Sequence, residues 1–140
     1  MTEPLKTPWH LWAVGIVTLL WNAVGVYSYL MTELGKLASL GFEPHQIAYF
    51  DSFPAWAIAF WALGVWGAFA GSILLLLRSR YAVHALIVAL VGLVGTAYFE
   101  HFVADVPADL QNPALNAAIW ILTVGTLWYA YKMRSAGVLR

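Results

Sequence analysis

The chain has 140 residues, of which 62% are hydrophobic and 10% charged, with a mean hydropathy of +0.75; soluble domains run at about 45–50% apolar and about 25% charged, so neither a water-soluble globule nor a disordered chain fits. Seven basic residues balance seven acidic ones, which leaves no basic excess to meet the phosphates of a nucleic acid. The lack of cysteine excludes disulfide scaffolds, thiolate metal sites, cysteine nucleophiles and c-type haem attachment.

A helix crossing the hydrocarbon core of a bilayer needs about 20 mostly apolar residues. Four windows qualify: 9–30, 53–77, 81–102 and 113–131. Their apolar runs are continuous, whereas barrel strands alternate, and a helix satisfies its own backbone within lipid. The expectation is an all-α integral membrane four-helix bundle, a single domain over 1–140. The first window is too long for a signal-peptide core of about 7–15 residues and lacks a strongly basic leader, so it reads as an uncleaved span.

In the first span, Gly15, Thr18, Asn22 and Gly25 recur at steps of three and four and share one helix face. Asn22 lies near the bilayer centre, where an amide must find a partner; it either joins helices together or lines a small-molecule path with Trp21. The connection 31–52 is the one long loop. Leu34, Leu37 and Ala38 share a helical face, Gly41 ends that piece, and Pro44 stands where a new helix begins. Two short interfacial helices, a cap or a lid between spans one and two, are expected.

The second span carries Gly64, Gly67, Ala68 and Gly71. Gly67 and Gly71 form a small-xxx-small pair of the kind that lets helices approach closely, here most simply within one chain. The turn Arg78-Ser79-Arg80 leads into the third span, which holds His84 near its start and Glu100 and His101 at its end. An ionisable group in or beside the membrane is a functional candidate. Tyr98 falls about 40° from His84 around the helix, so both residues can face the bundle. The loop 103–112 contains Pro107 and is acidic. The fourth span offers Asn116, Thr123 and Thr126 as polar lining or glue. Gly25 with Gly95, and Gly64 with Gly125, hint at a parallel duplication.

Orientation follows from the basic residues, which gather in cytoplasmic segments. Lys6, Arg78, Arg80, Lys132, Arg134 and Arg140 fall on one side, and only Lys36 falls on the other. Both termini are expected in the cytoplasm of a bacterial cell, with Glu33, Glu43, Asp51, Asp105 and Asp109 in the periplasm. Of the eight tryptophans, Trp9, Trp12 and Trp128 suit an inner belt and Trp56 and Trp120 an outer one. Trp21, Trp61 and Trp66 lie toward mid-membrane, where they fill the core or line a cavity. His10 with His84, and His45 with His101, share depths, as a bis-His haem requires, although His10 and His84 only open their spans. Glu100 with His45 or His101 and an acidic loop residue is the one conceivable outer metal site. Phosphate loops, Ser-His-Asp sets and dinucleotide fingerprints are absent from the sequence, so no enzyme activity, cofactor or metal is expected.

Three blocks carry a resemblance: Leu20-Trp21-Asn22-Ala23-Val24-Gly25-Val26-Tyr27; Phe53-Pro54-Ala55-Trp56 with Ala62-Leu63-Gly64-Val65-Trp66-Gly67; and Gly71-Ser72 followed by Arg78-Ser79-Arg80-Tyr81-Ala82-Val83. Over roughly residues 9–100 the chain resembles small four-helix bacterial membrane proteins that carry the automatic label "sugar transporter". Its layout distantly resembles that of DoxX-like four-helix proteins. The resemblance implies transport and carries no site residues over. The residues themselves offer the aromatic platforms a sugar path uses, but few hydrogen-bonding groups.

Three function classes follow. The first is an oligomeric transporter with Trp21, Asn22, Trp61, Trp66, Asn116 and Thr123 lining its path. Transporters bind substrate between repeats at the midplane, and one copy of so short a chain is too thin for that, so a homo-oligomer is implied. The second is a non-catalytic subunit docked on a larger membrane complex through Gly67 and Gly71. The third is a haem- or quinone-binding protein.

Overall fold

The computed structural model describes residues 7–140; Lys6, counted above among the inner-side basic residues, lies outside them. The described chain is all-α, with five α-helices. Four are long and apolar enough to cross a membrane: α1 (Trp9–Glu33), α3 (Ala55–Leu76), α4 (Ala82–Tyr98, continued by a π-helical turn over Phe99–Val103) and α5 (Pro113–Ser135). The fifth, α2 (Pro44–Asp51), is short. α1 runs three residues beyond the expected span and α5 four, so Lys132 and Arg134 end in the last turn of α5, where their charge suits the carbonyl end of the helix.

Proline and glycine place most boundaries. Pro8 and Pro54 stand in extended conformation before α1 and α3. Between α1 and α2 the chain makes only a 3-10 turn over Leu37–Leu40, shorter than the helix expected, and Gly41 closes it in the left-handed region at φ 90°. Of the three apolar residues expected on one face, Leu37 is buried while Leu34 is 63% exposed. Pro44 opens α2, and the Glu43 backbone N–H donates to Gln46 Oε1 at 2.8 Å, one half of a capping box.

α3 and α4 form the tightest pair. A methyl on Gly92 would lie 2.5 Å from Phe60 O and 2.8 Å from Gly64 Cα; one on Gly67 would lie 2.9 Å from Ala89 N; one on Gly71 would meet Leu86 at 2.7 Å. Gly67 and Gly71 therefore serve contacts within the chain. The hinted duplication has no counterpart in packing, since Gly95 faces the Phe60 ring and Gly25 faces Val65, while Gly125 faces open space.

The packed core sits at the arginine end. Leu11, Leu75, Ala82, Val83, Leu86 and Ala130 are buried there together with Val138 and Leu139 of the C-terminal tail. The tail is tied to the α3–α4 turn by two backbone hydrogen bonds, Arg80 N–H to Arg140 O at 3.1 Å and Arg140 N–H to Arg78 O at 2.9 Å. Both termini of the described chain thus lie at this end, and the cap α2 lies at the other.

Candidate functional site

The two halves of α5 differ. Its buried residues are Thr126 and Ala130, both in the half near the arginine end. Its other half, from Pro113 to Gly125, buries nothing. α5 packs on α4 and barely touches α1. The outer half consequently stands off the bundle and leaves a cavity of about 420 Å³.

All four long helices wall this cavity. α1 contributes Trp21, Asn22, Gly25 and Ser28; α3 contributes Trp61, Gly64, Val65 and Ala68; α4 and its π-turn contribute Ala89, Leu93, Thr96 and Glu100; α5 contributes Leu115, Ile119 and Thr123. Phe50 and Phe53 close it from the cap side. A second cavity, about 680 Å³, lies between the cap, the π-turn and the 103–112 loop, and Phe50, Glu100, Leu115 and Ile119 line both. The two cavities therefore meet at Glu100.

The floor of the first cavity is polar and hydrogen-bonded. Asn22 Nδ2 donates to Ala68 O at 3.0 Å and to Ser72 Oγ at 2.8 Å. Ser72 Oγ donates to Thr18 Oγ1 at 3.0 Å, and Thr18 donates to Val14 O at 2.7 Å. This chain fastens α1 to α3, the glue role expected of Asn22, while the same residue also lines the cavity. Thr96 donates its hydroxyl proton to Gly92 O at 2.8 Å.

The roof is aromatic. Phe50 stacks on Trp61 with centroids 6.1 Å apart and planes at 24°. Phe53 lies 5.8 Å from Trp61 and 4.6 Å from Phe99, and Tyr29 meets Trp61 edge-on at 5.1 Å. Tyr49 packs against Phe50 and Phe53. Its buried hydroxyl has no hydrogen-bond partner among the described residues, and burial, helped by the charge of Glu100, pushes its pKa up to about 12.

A polar latch holds the cap in place. His45 Nε2 lies 2.7 Å from Asp109 Oδ2, Gln46 Nε2 donates to the same oxygen at 2.8 Å, and His45 Nδ1 lies 3.4 Å from Glu43. The His45 hydrogen bond holds the Asp109 carboxyl below the ordinary carboxylate range. Glu43, His45 and Asp109 bring their ligand atoms within 4.8 Å of one another, and all three are exposed. This is a different set from the outer metal site conceived around Glu100, which takes no part in it.

The expected site residues divide accordingly. Trp21, Asn22, Trp61, Thr123 and Gly64 share the first cavity. Asn116 and His101 line the second, which Glu100 joins to the first. Trp66 lines neither; it is 43% exposed and meets Tyr29 and Phe69 edge-on. His84 is exposed near the arginine end, 5.6 Å from the Tyr81 ring, and Tyr98 is 55% exposed, so neither faces the bundle as expected. The histidines are engaged separately, His10 with Tyr129 and His45 with Asp109. Nothing in the sequence places Phe50, Phe53, Tyr49 and Thr96 at the site beyond the three aromatic residues clustered between positions 49 and 53. No protein-family model, curated protein or solved structure matches the chain.

Proposed function

We propose that this is a multi-pass protein of a bacterial inner membrane, with both termini cytoplasmic and the aromatic cap periplasmic, and that it works as a permease-like protein binding a small, mainly apolar molecule between its spans. The observation that carries this reading is the cavity of about 420 Å³ bounded by all four long helices and roofed by Phe50 and Phe53. Ligand sites are typically concave, mostly apolar and furnished with a few placed polar groups, and this lining has that character.

The orientation rests on Arg78, Arg80, Lys132, Arg134 and Arg140, which gather at the end where the tail pairs with the α3–α4 turn, because basic residues collect on the cytoplasmic side. The resemblance to four-helix proteins labelled as sugar transporters supports transport. The lining supports an apolar body over a sugar, because most of it is hydrocarbon and, of its polar residues, Asn22 and Thr96 have already given protons to protein acceptors, which leaves Ser28, Thr123 and Glu100. The cavity is roofed on one side and floored by the packed core on the other, so passage across the membrane calls for a homo-oligomer or a repacking of α5. Gly67 and Gly71 face α4, so an accessory subunit, the alternative reading, would dock through another surface.

Native mass spectrometry of the protein released gently from its own membranes tests the reading. A homo-oligomer retaining a small molecule bears it out. A complex with a larger, different protein and no retained small molecule overturns it.

A further inference from the structure

We propose that the cavity takes an organic cation, a small amine or quaternary ammonium with an apolar body, and that Glu100 supplies its counter-charge. This rests on the cavity being the binding site and adds the chemical class of what it binds.

Among the described residues, Glu100 is the sole ionisable side chain lining the first cavity. The second cavity adds Asp105, His101 and Tyr49, and among the described residues neither cavity is lined by a lysine or arginine. Among the described residues the combined space therefore holds two carboxyl groups, Glu100 and Asp105, and one imidazole, His101, with no lysine or arginine. The ion pairs among the described residues both belong to His45, and the carboxylate of Glu100 takes part in none of the side-chain hydrogen bonds that join the cap, the loop and the helices. A carboxylate in apolar surroundings is costly without a partner. Low-dielectric walls concentrate its potential in the cavity mouth, and a cation entering there offsets both costs.

The neighbours of Glu100 suit the rest of such a ligand. Phe50 lines both cavities with it and stacks on Trp61, with Phe53 beside them. Aromatic faces attract ammonium groups through the ring quadrupole, and cages of them recognise quaternary ammonium. Tyr49 adds a further aromatic ring to the wall of the second cavity and packs against Phe50 and Phe53. An anionic ligand would face Glu100 and Asp105 with only His101 of opposite character beside them. A polyol would find the donors of Asn22 and Thr96 already engaged.

The test uses the full chain in lipid nanodiscs, with tryptophan emission as the readout because Trp21 and Trp61 line the cavity. Three probes of similar bulk and different charge are titrated: tetraphenylphosphonium, neutral triphenylphosphine oxide and anionic tetraphenylborate. Each is corrected for uptake by empty nanodiscs. The expected result is saturable quenching by the cation alone, with affinity lowered about tenfold or more in Glu100→Gln and largely kept in Glu100→Asp. Equal binding of the neutral probe, or wild-type affinity in Glu100→Gln, overturns the cationic class and leaves the cavity as a binding site. Binding of none of the three overturns both. The charge comparison in the wild type decides the matter even if Glu100→Gln fails to assemble.

Discussion

Gly92 and Gly64 face each other across the α3–α4 seam, and the fit is one-sided. A methyl on Gly92 would lie 2.5 Å from Phe60 O and 2.8 Å from Gly64 Cα, whereas one on Gly64 would meet nothing closer than Leu93 N at 3.6 Å. Backbone atoms of a packed helix cannot swing aside as the end of a side chain can. Gly92→Ala is therefore expected to force the helices apart and to destabilise the protein by about 1–3 kcal/mol, the usual cost of overpacking. Gly64→Ala should be tolerated within about 0.5 kcal/mol, as should Gly125→Ala, which faces open space. Thermal unfolding in detergent, or steric trapping in bilayers, compares the three. Equal effects of Gly92→Ala and Gly64→Ala would contradict the packing described.

Asn22 and Ser72 form the second coupling between helices. Ser72 is fully buried, accepts from Asn22 and donates to Thr18. Hydrogen bonds between membrane helices contribute about 0.6 kcal/mol on average and up to about 1.7. A double-mutant cycle of Asn22→Leu and Ser72→Ala should give a coupling in that range, with both single variants less stable than the parent. A coupling of zero would mean that the Asn22–Ser72 bond adds nothing to the join between α1 and α3, leaving that role to the bond from Asn22 to Ala68 O.

The boundaries of the fold were largely legible in the sequence because they depend on local chemistry. Gly41 and Pro44 mark the end of one short element and the start of the next, and four long apolar runs mark the spans. Gly67 and Gly71 were legible as close-packing residues. Their partner surface was not singled out, although Ala85, Ala89, Gly92 and Thr96 form a stripe of small residues at helical spacing on α4. What depends on long-range placement was hidden. Nothing local tells that the outer half of α5 stands off the bundle, that Phe50 stacks on Trp61, or that His45 meets Asp109 across 64 residues. The π-turn at Phe99–Val103 was hidden too, and it places Glu100 where the two cavities join.

The His45–Asp109 latch gives the cap a pH dependence. Asp109 has its pKa lowered in the folded protein, first by its hydrogen bond to His45 and also by Gln46. A depressed carboxyl contributes stability above its unfolded value, about 3.9 for aspartate, and that contribution is lost as pH falls through the folded value. The groups facing Asp109 are His45, Gln46 and, through His45, Glu43. Asp109→Ala, which removes the acceptor of both bonds, should loosen the cap at neutral pH, seen as faster hydrogen exchange over Pro44–Asp51 after correction for intrinsic rates. The spans should exchange as before. Unchanged exchange in α2 would show that aromatic packing alone holds the cap.

Single cysteines show whether the first cavity is reached from the cap end by way of the second and closed at the arginine end, and the chain has no cysteine of its own to interfere. Single cysteines at Thr123 in the first cavity, Asn116 in the second and Ser79 in the α3–α4 turn are exposed to a small membrane-impermeant thiosulfonate in sealed membranes of known sidedness. Asn116→Cys and Thr123→Cys are expected to react from the periplasmic side and Ser79→Cys only from the cytoplasmic side. Reaction of Thr123→Cys only from the cytoplasmic side, or from neither while Asn116→Cys reacts, would contradict that route.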